Sequence, residues 1–446
     1  MKILCISLGC DKNLVDTEMM LGLLTRDGHT FTDDEQEAEI IVINTCCFIG
    51  DAKEESINTI LEMAQLKQTA NCKALIVTGC LAQRYKQEII DEIPEVDGIL
   101  GTTTYDEIST VLNRVLGGEE GVSCFHDLND LPQVETERII TTGGYYAFLK
   151  IAEGCDKRCT YCIIPDLRGS YRSVPMERLV KEARQLADKG VRELILVAQE
   201  TTLYGVDLYG KKMLPELLRE LAKIAGIYWI RIQYCYPEEI TDELIEVIKT
   251  EEKVCHYLDI PIQHASDTIL RRMNRRTNQQ QLREMIAKLR REIPDIALRT
   301  TMIAGFPGET EEDHEEVMAF VDEMEFERLG VFAYSAEEDT PAASFPDQIP
   351  QEVKEERRDD IMELQQEIAF DKSASMVGRV LDVMIEGKVA DEAAYVGRTY
   401  MDAPNVDGYI FVNSGELFMS GDFVKVKVTG SAEYDLIGEV YDEFTK

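Results

Sequence analysis

In the stretch GCDKRCTYC, Cys155, Cys159 and Cys162 stand three and two residues apart, with no fourth cysteine close behind. A closed zinc or iron-sulfur site takes four protein ligands, so three thiolates suit a cubane of four irons that leaves one iron open. An open iron can chelate the amino and carboxylate groups of S-adenosylmethionine and set its sulfonium beside a low-potential electron source. One electron then cleaves a carbon-sulfur bond and releases a 5′-deoxyadenosyl radical. A zinc site, or three cysteines carried on a helix by chance, is the bland alternative. Three more cysteines, Cys10, Cys46 and Cys80, have no local metal spacing, but each ends a strand-like run: KILCISLGC, EIIVINTC and ALIVTGC.

The elements that must position these thiols can be read from hydrophobic periodicity. Residues 1–125 alternate apolar runs with helical patterns, the signature of a parallel α/β sheet. Parallel strands end along one edge, where open α/β folds place their ligands, so the thiolates of Cys10, Cys46 and Cys80 could converge there. Residues 126–140 lack sustained periodicity and read as a linker. From 141 to 372 six further βα units predict a partial, open (β/α)6 barrel with its site at the strand C-terminal ends, closed by a strap helix from Gln351 to Lys372. Residues 373–446 switch to five short alternating strands, which predicts a small antiparallel β-barrel of OB-like type. The fold class is therefore α/β multidomain.

Bulk properties narrow the function. A chain of 446 residues exceeds one ordinary core. No run approaches the roughly 20 apolar residues of a membrane span, and Asp11 and Lys12 follow MKILCISLGC too soon for a signal peptide. These features predict a cytoplasmic protein with no membrane partner. In that reducing compartment, clustered cysteines among the twelve present point to metal or redox chemistry rather than disulfides. The net charge of −37 argues against a surface built to neutralise phosphate. It would attract a basic protein, or simply keep the chain soluble. Between Ala374 and Lys446, 6 Lys and Arg face 13 Asp and Glu, a poor charge for gripping RNA.

Cys-x3-Cys-x2-Cys directly after the first barrel strand resembles the radical S-adenosylmethionine superfamily. That resemblance implies cofactor roles for several residues. Tyr161, before the last cysteine, would contact the adenine or else pack. Gln199 and Glu200 in AQE would accept the methionine amino group. Gly305 and Gly308 in MIAGFPGE would let backbone approach the adenine, or else form a helix entry turn. His264 in IPIQHAS would contact ribose or substrate, or else be structural. Arg168 and Arg172 in RGSYRS lie just past the cluster loop, where a cation could hold the cofactor carboxylate or an acidic substrate side chain. RRMNRR (271–276) reads as a solvated or salt-bridged face.

Over essentially its whole length the chain resembles the methylthiotransferase family, on LGCDKNLVDTE, NTCCFI, VTGC, EGCDKRCTYCIIPDLRGSYRS and a C-terminal TRAM domain. The resemblance implies two [4Fe-4S] clusters, on Cys10, Cys46 and Cys80 and on Cys155, Cys159 and Cys162, with S-adenosylmethionine used twice, once as methyl donor and once as radical source. Cys47 takes a position where the family has a small residue. With Cys5, Cys72, Cys124, Cys235 and Cys255, it reads most simply as a small, often buried apolar residue. LGCDKNLVD, YLDIPIQHAS, FAYSAEEDTPAASFPDQIP and GRTYMDAPNVDGYIFV resemble the branch that acts on ribosomal protein S-twelve. This implies methylthiolation at the β-carbon of an aspartate, on the free protein or the small ribosomal subunit, with an external electron donor and a sulfur donor. A tRNA adenosine methylthiotransferase is the alternative within this chemistry. A non-catalytic iron-sulfur or zinc-binding interaction protein is the alternative outside it.

Overall fold

The alternating runs of the first unit fold as strands of an open sheet in which every pairing is parallel. In the computed structural model, which describes residues 1–132 and 137–441, they are β1 (Lys2–Ser7), β2 (Thr30–Phe31), β3 (Ile40–Thr45), β4 (Ala74–Gly79), β5 (Gly98–Leu100) and β6 (Val122–Cys124). Their order is β2-β1-β3-β4-β5-β6. β3 and β4 are buried along their whole length, which is why they read as continuous apolar runs. β1, β3 and β4 are neighbours, roughly 5 Å apart, so the three segments that follow them emerge side by side.

The second unit is also parallel: β7 (Tyr146–Lys150), a short antiparallel pair β8 (Ala152–Glu153) and β9 (Arg172–Ser173), then β10 (Glu193–Val197), β11 (Trp229–Ile232), β12 (Val254–Asp259), β13 (Ala297–Ala304) and β14 (Arg328–Ala333). The six long strands form an open sheet ordered β14-β13-β12-β11-β10-β7. Alternate residues such as Leu194, Leu196, Ile230 and Ile232 face the surrounding helices and make the main core. Their neighbours Glu193, Arg231, Tyr257 and Arg299 meet the C-terminal unit instead. The strap helix runs from Gln351 to Ser375. Of the expected linker, residues 133–136 lie outside the described residues. Arg138 within it is buried and pairs with Glu18 and Glu182.

The C-terminal unit is a closed barrel of β15 (Val380–Lys388), β16 (Ala394–Arg398), β17 (Ile410–Asn413), β18 (Phe423–Ala432) and β19 (Asp435–Val440), ordered β15-β16-β17-β19-β18. The expectation of a wholly antiparallel barrel needs one correction, since β17 and β19 run parallel. Five strands in a closed ring cannot alternate direction at every seam.

The segment between β16 and β17 reaches into the open face of the second unit. Asn405 donates to the Tyr146 hydroxyl (3.0 Å), Tyr257 donates to Asp407 (3.1 Å), and Arg299 bridges Asp407 and Asp259 at 3.3 and 3.0 Å. Among the described residues no helix is long and apolar enough to cross a membrane.

Candidate functional site

The first triad is assembled by the sheet edge. Cys46 follows β3 directly. Cys10 caps the helix Asp11–Arg26 in an extended backbone conformation, and Cys80 opens the helix Cys80–Glu92. Two of the three thiols thus sit at helix N-termini; burial raises the Cys80 thiol, against the pull of Arg168 beside it. Ser56 fixes Cys46 by accepting from its N–H (3.0 Å) and donating to its carbonyl (2.8 Å). A side chain on Gly9 would meet the Cys46 Cβ at 2.5 Å, so the Cys10 loop packs directly on Cys46. Burial pushes the Cys46 thiol up to about 12, and Cys80 and Cys10 beside it push the same way. Three thiols this close resist ionising together, and iron would relieve that repulsion. Cys47 is fully buried within the sheet-helix core beside Arg84, in keeping with its reading as a core residue.

The second triad lies on the loop after β8. The Cys155 N–H donates to the Gly169 carbonyl (3.1 Å) and the Cys162 N–H to the Cys159 carbonyl (3.0 Å), while the Cys159 sulfur lies 3.3 Å from the Tyr236 hydroxyl. Burial pushes Cys155 up to about 11 and raises Cys162 as well, with Cys159 adding to both shifts. All twelve cysteines are free thiols. Among the described residues no three His, Cys, Asp or Glu side chains close around a single metal ion. A cubane asks for something else, because each of its three cysteines ligates a different iron.

Arg168 links the first triad to the strand that leads into the second. Its guanidinium is 2% exposed and donates to Asp16 (3.0 Å), to Glu153 (3.2 Å), to Asn13 and to the Cys80 sulfur at 3.5 Å. Glu153 stands two residues before Cys155 and also accepts from Lys150 (2.7 Å) and Gln199 (2.9 Å). The expected role of Arg168 as a holder of cofactor carboxylate is therefore corrected: its donors are committed to the first triad and to the seam between units. Arg172 donates through its two Nη atoms to the carbonyls of Ser170 and Arg168, while its buried Nε keeps no hydrogen-bond partner.

The remaining candidates divide. Gln199 and Glu200 lie past the end of β10, and each keeps a buried side-chain oxygen, Oε1 and Oε2 respectively, with no hydrogen-bond partner. Glu200 accepts from the Thr202 N–H (2.8 Å), and its carboxyl is pushed up to about 7, chiefly by burial. Cys155 lies within its electrostatic reach. Two orphaned acceptors beside the triad fit the ammonium of S-adenosylmethionine. Tyr161 packs on a cluster that includes Met273, Phe306 and Tyr334 and also lies beside Cys159.

The two glycines serve the protein itself. A side chain on Gly305 (φ +72°) would strike Lys354 of the strap helix at 2.3 Å, and one on Gly308 (φ +83°) would strike Arg272 at 2.7 Å. At both positions the missing Cβ leaves room for a side chain of the protein itself. His264 is 1% exposed; its Nδ1 accepts from the Ser266 N–H (2.9 Å) and its Nε2 lies 3.4 Å from Glu309. Both ring nitrogens face protein groups, which makes His264 a structural residue of its loop.

Sequence reasoning missed three neighbours of the second triad. Tyr236 touches Cys159. Arg275, read as part of a solvated face, is buried with its guanidinium 4.1 Å from the Tyr236 ring. Lys157, inside the cysteine motif, pairs with Glu238 (3.2 Å) and Glu239. Only the position of Lys157 between two cysteines could have signalled a role.

Comparison with known proteins agrees with this architecture. Family models match the Radical SAM superfamily over residues 149–321, the Uncharacterized protein family UPF0004 over 2–101 and the TRAM domain over 377–440. The chain is 68% identical to ribosomal protein uS12 methylthiotransferase RimO of Lachnoclostridium phytofermentans, over 98% of this chain and 99% of that protein. It is 53% identical to the protein of the same name from Acetivibrio thermocellus, over 100% and 99%. Among solved structures, the radical S-adenosylmethionine methyltransferase TsrM from Kitasatospora setae aligns with a TM-score of 0.54 at 12% identity, over 87% of this chain and 79% of that one. At that identity the likeness is one of fold.

Proposed function

The chain belongs to the radical S-adenosylmethionine methylthiotransferase family, and on that premise we propose that it replaces a hydrogen on the β-carbon of an aspartate in ribosomal protein uS12 by a methylthio group. The observation that carries this reading is Arg168, which touches Cys80 of one triad and Glu153, two residues from Cys155 of the other. Transfer of sulfur to a carbon radical needs both centres to face one another, and a side chain that contacts one triad and the strand leading into the other supports that arrangement.

When bound, a [4Fe-4S] cluster on each triad together with S-adenosylmethionine supplies the radical and the methylated sulfur. Such a C–H bond is too weakly acidic for any side-chain base near neutral pH, so acid-base catalysis is no substitute. The chain's own residues do the rest. Cys10, Cys46 and Cys80, and Cys155, Cys159 and Cys162, are the ligands; Gln199 and Glu200 accept the cofactor ammonium through their orphaned oxygens, and Tyr161 borders the same triad. Tyr236 and Arg275 cover Cys159 and keep water from it. Arg168 offsets thiolate charge at Cys80 and holds the sheet edge against the barrel mouth. The units 1–125, 141–372 and 373–446 divide these tasks between sulfur centre, radical centre and substrate docking. An external one-electron reductant and a sulfur donor complete the reaction, which takes place in the cytoplasm where the ribosome is made.

The test is anaerobic reconstitution followed by incubation with S-adenosylmethionine, reductant, a sulfur source and uS12. Mass spectrometry should find a gain of CH2S on one aspartate. Cofactor cleavage with no such gain, or methylthioadenosine formed in tRNA instead, would refute the reading.

A further inference from the structure

Lys12 is the second residue after Cys10 and is 7% exposed. Its ammonium lies 3.4 Å from the centroid of the Tyr234 ring, just past the end of β11 at the barrel mouth. Among the described residues it forms no ion pair, whereas Lys150, Lys157, Arg168 and Arg231, similarly buried, each hold a carboxylate. Neighbouring Asp11 makes no ion pair with it either. An ammonium kept out of water without an anion is costly, and an aromatic face offsets only part of that cost.

The ring under Lys12 is held deliberately. Tyr234 has a left-handed backbone (φ +62°), unusual for a bulky residue. That conformation is pinned from both sides. The Tyr234 N–H donates to Asp259 (3.2 Å), and the Tyr234 carbonyl accepts from both the N–H and the hydroxyl of Thr201, each at 3.1 Å. Three hydrogen bonds keep that strain in place and so fix the ring on which the Lys12 ammonium, held in no ion pair among the described residues, rests.

The ligand must be anionic and must enter where the two units meet. Tyr234, Cys10 and Asp11 are the groups that act most on the Lys12 charge. Lys12 follows Cys10 by two residues, so the charge stands on the side of the mouth where the first triad lies. A protein of net charge −37 attracts a basic polypeptide but repels an aspartate within it. Reading that aspartate therefore needs a local cation, one carbon away from the reacting position.

We propose that Lys12 is the specificity-determining residue that binds the target carboxylate, with Tyr234 as its platform. This inference rests on the methylthiotransferase reading and names the group that reads the substrate side chain.

The experiment uses cluster-loaded full-length enzyme, kept anaerobic, and two fluorescent synthetic peptides of the basic uS12 loop, one with the target aspartate and one with asparagine in its place. Binding is followed by anisotropy. Wild type should prefer the aspartate peptide by about 10- to 100-fold, the range for a buried hydrogen bond to a charged group. Lys12→Met should bring the two peptides within about threefold of each other, and Lys12→Arg should keep part of the preference. Iron content and cofactor cleavage without peptide should stay at the wild-type level in both variants.

Equal binding of the two peptides by wild type overturns the inference without needing a variant. So does a full preference retained in Lys12→Met, or a loss of cofactor binding in that variant without peptide, which would assign the charge to the cofactor. Wild-type enzyme that cleaves the cofactor yet leaves the aspartate peptide unmodified would instead sink the methylthiotransferase reading on which the inference rests.

Discussion

Replacing Glu193 by glutamine removes one negative charge from a fully buried triad at the seam between the barrel and the C-terminal unit. Glu193 receives Arg231 Nε at 2.7 Å and Arg398 Nη2 at 2.6 Å, and all three residues are fully buried. Taking one partner from a buried pair costs about 3–5 kcal/mol, because the charge left behind stays out of water. Arg398 keeps Glu386 at 2.6 Å, so the cost falls on Arg231. That guanidinium retains the Tyr400 carbonyl (2.6 Å) and the face of Tyr257 (4.6 Å), and its Nη2 has no hydrogen-bond partner. A loss near the lower end, about 3 kcal/mol or two orders of magnitude in equilibrium constant, follows. The assay is built into the protein. Its one tryptophan, Trp229, meets Phe423 of the C-terminal barrel edge-on at 4.8 Å, so its fluorescence during urea titration reports this seam. The penalty should shrink when Arg231→Met is introduced first, since no stranded charge then remains. A loss below about 1 kcal/mol, or one unchanged by Arg231→Met, would refute the reasoning.

Further expectations concern pH, glycine and the first triad. Burial alone would push the Glu193 carboxyl up, but Arg398 and Arg231 outweigh it and hold it below the usual carboxylate range. Its contribution is thus fully present above the unfolded value of about 4.3 and is lost as pH falls through the lower folded value. The Trp229 transition should weaken in wild type across that acid window, and less so in Glu193→Gln. Gly305→Ala and Gly308→Ala both force a side chain into positive φ, at about 1–2 kcal/mol. Gly305→Ala should be worse in urea denaturation, because its methyl meets the Lys354 Cα at 2.9 Å, whereas the end of Arg272 can swing away. Arg168→Met should cost about 3–5 kcal/mol by leaving Asp16 and Glu153 with Lys150 alone. Thermal unfolding measures that loss, and iron analysis should show the first triad loading less completely than the second. Wild-type stability in Arg168→Met would remove it from the seam.

The amino-acid sequence by itself determined whatever depends on short-range spacing and period. Cys155, Cys159 and Cys162 fall within one loop, so their joint chemistry was legible from eight residues. Strand periodicity carried the parallel sheets and the closed small barrel, and the cysteines at three strand ends gave the first triad its place once parallel strands were inferred. Tertiary structure alone decided which side chains those centres meet. Arg168 lies in sequence beside the second triad yet reaches Cys80, 88 residues away, and Asp16, 152 away. Arg275 leaves a run of charges to cover Tyr236, Gly305 makes room for Lys354, and Lys12 remains without an ion pair on a ring from another unit. Local pattern records which face of an element is apolar. It does not record which distant segment arrives there, because that choice is made by the packing of whole units against one another and by the pairing of most buried charges across their seams.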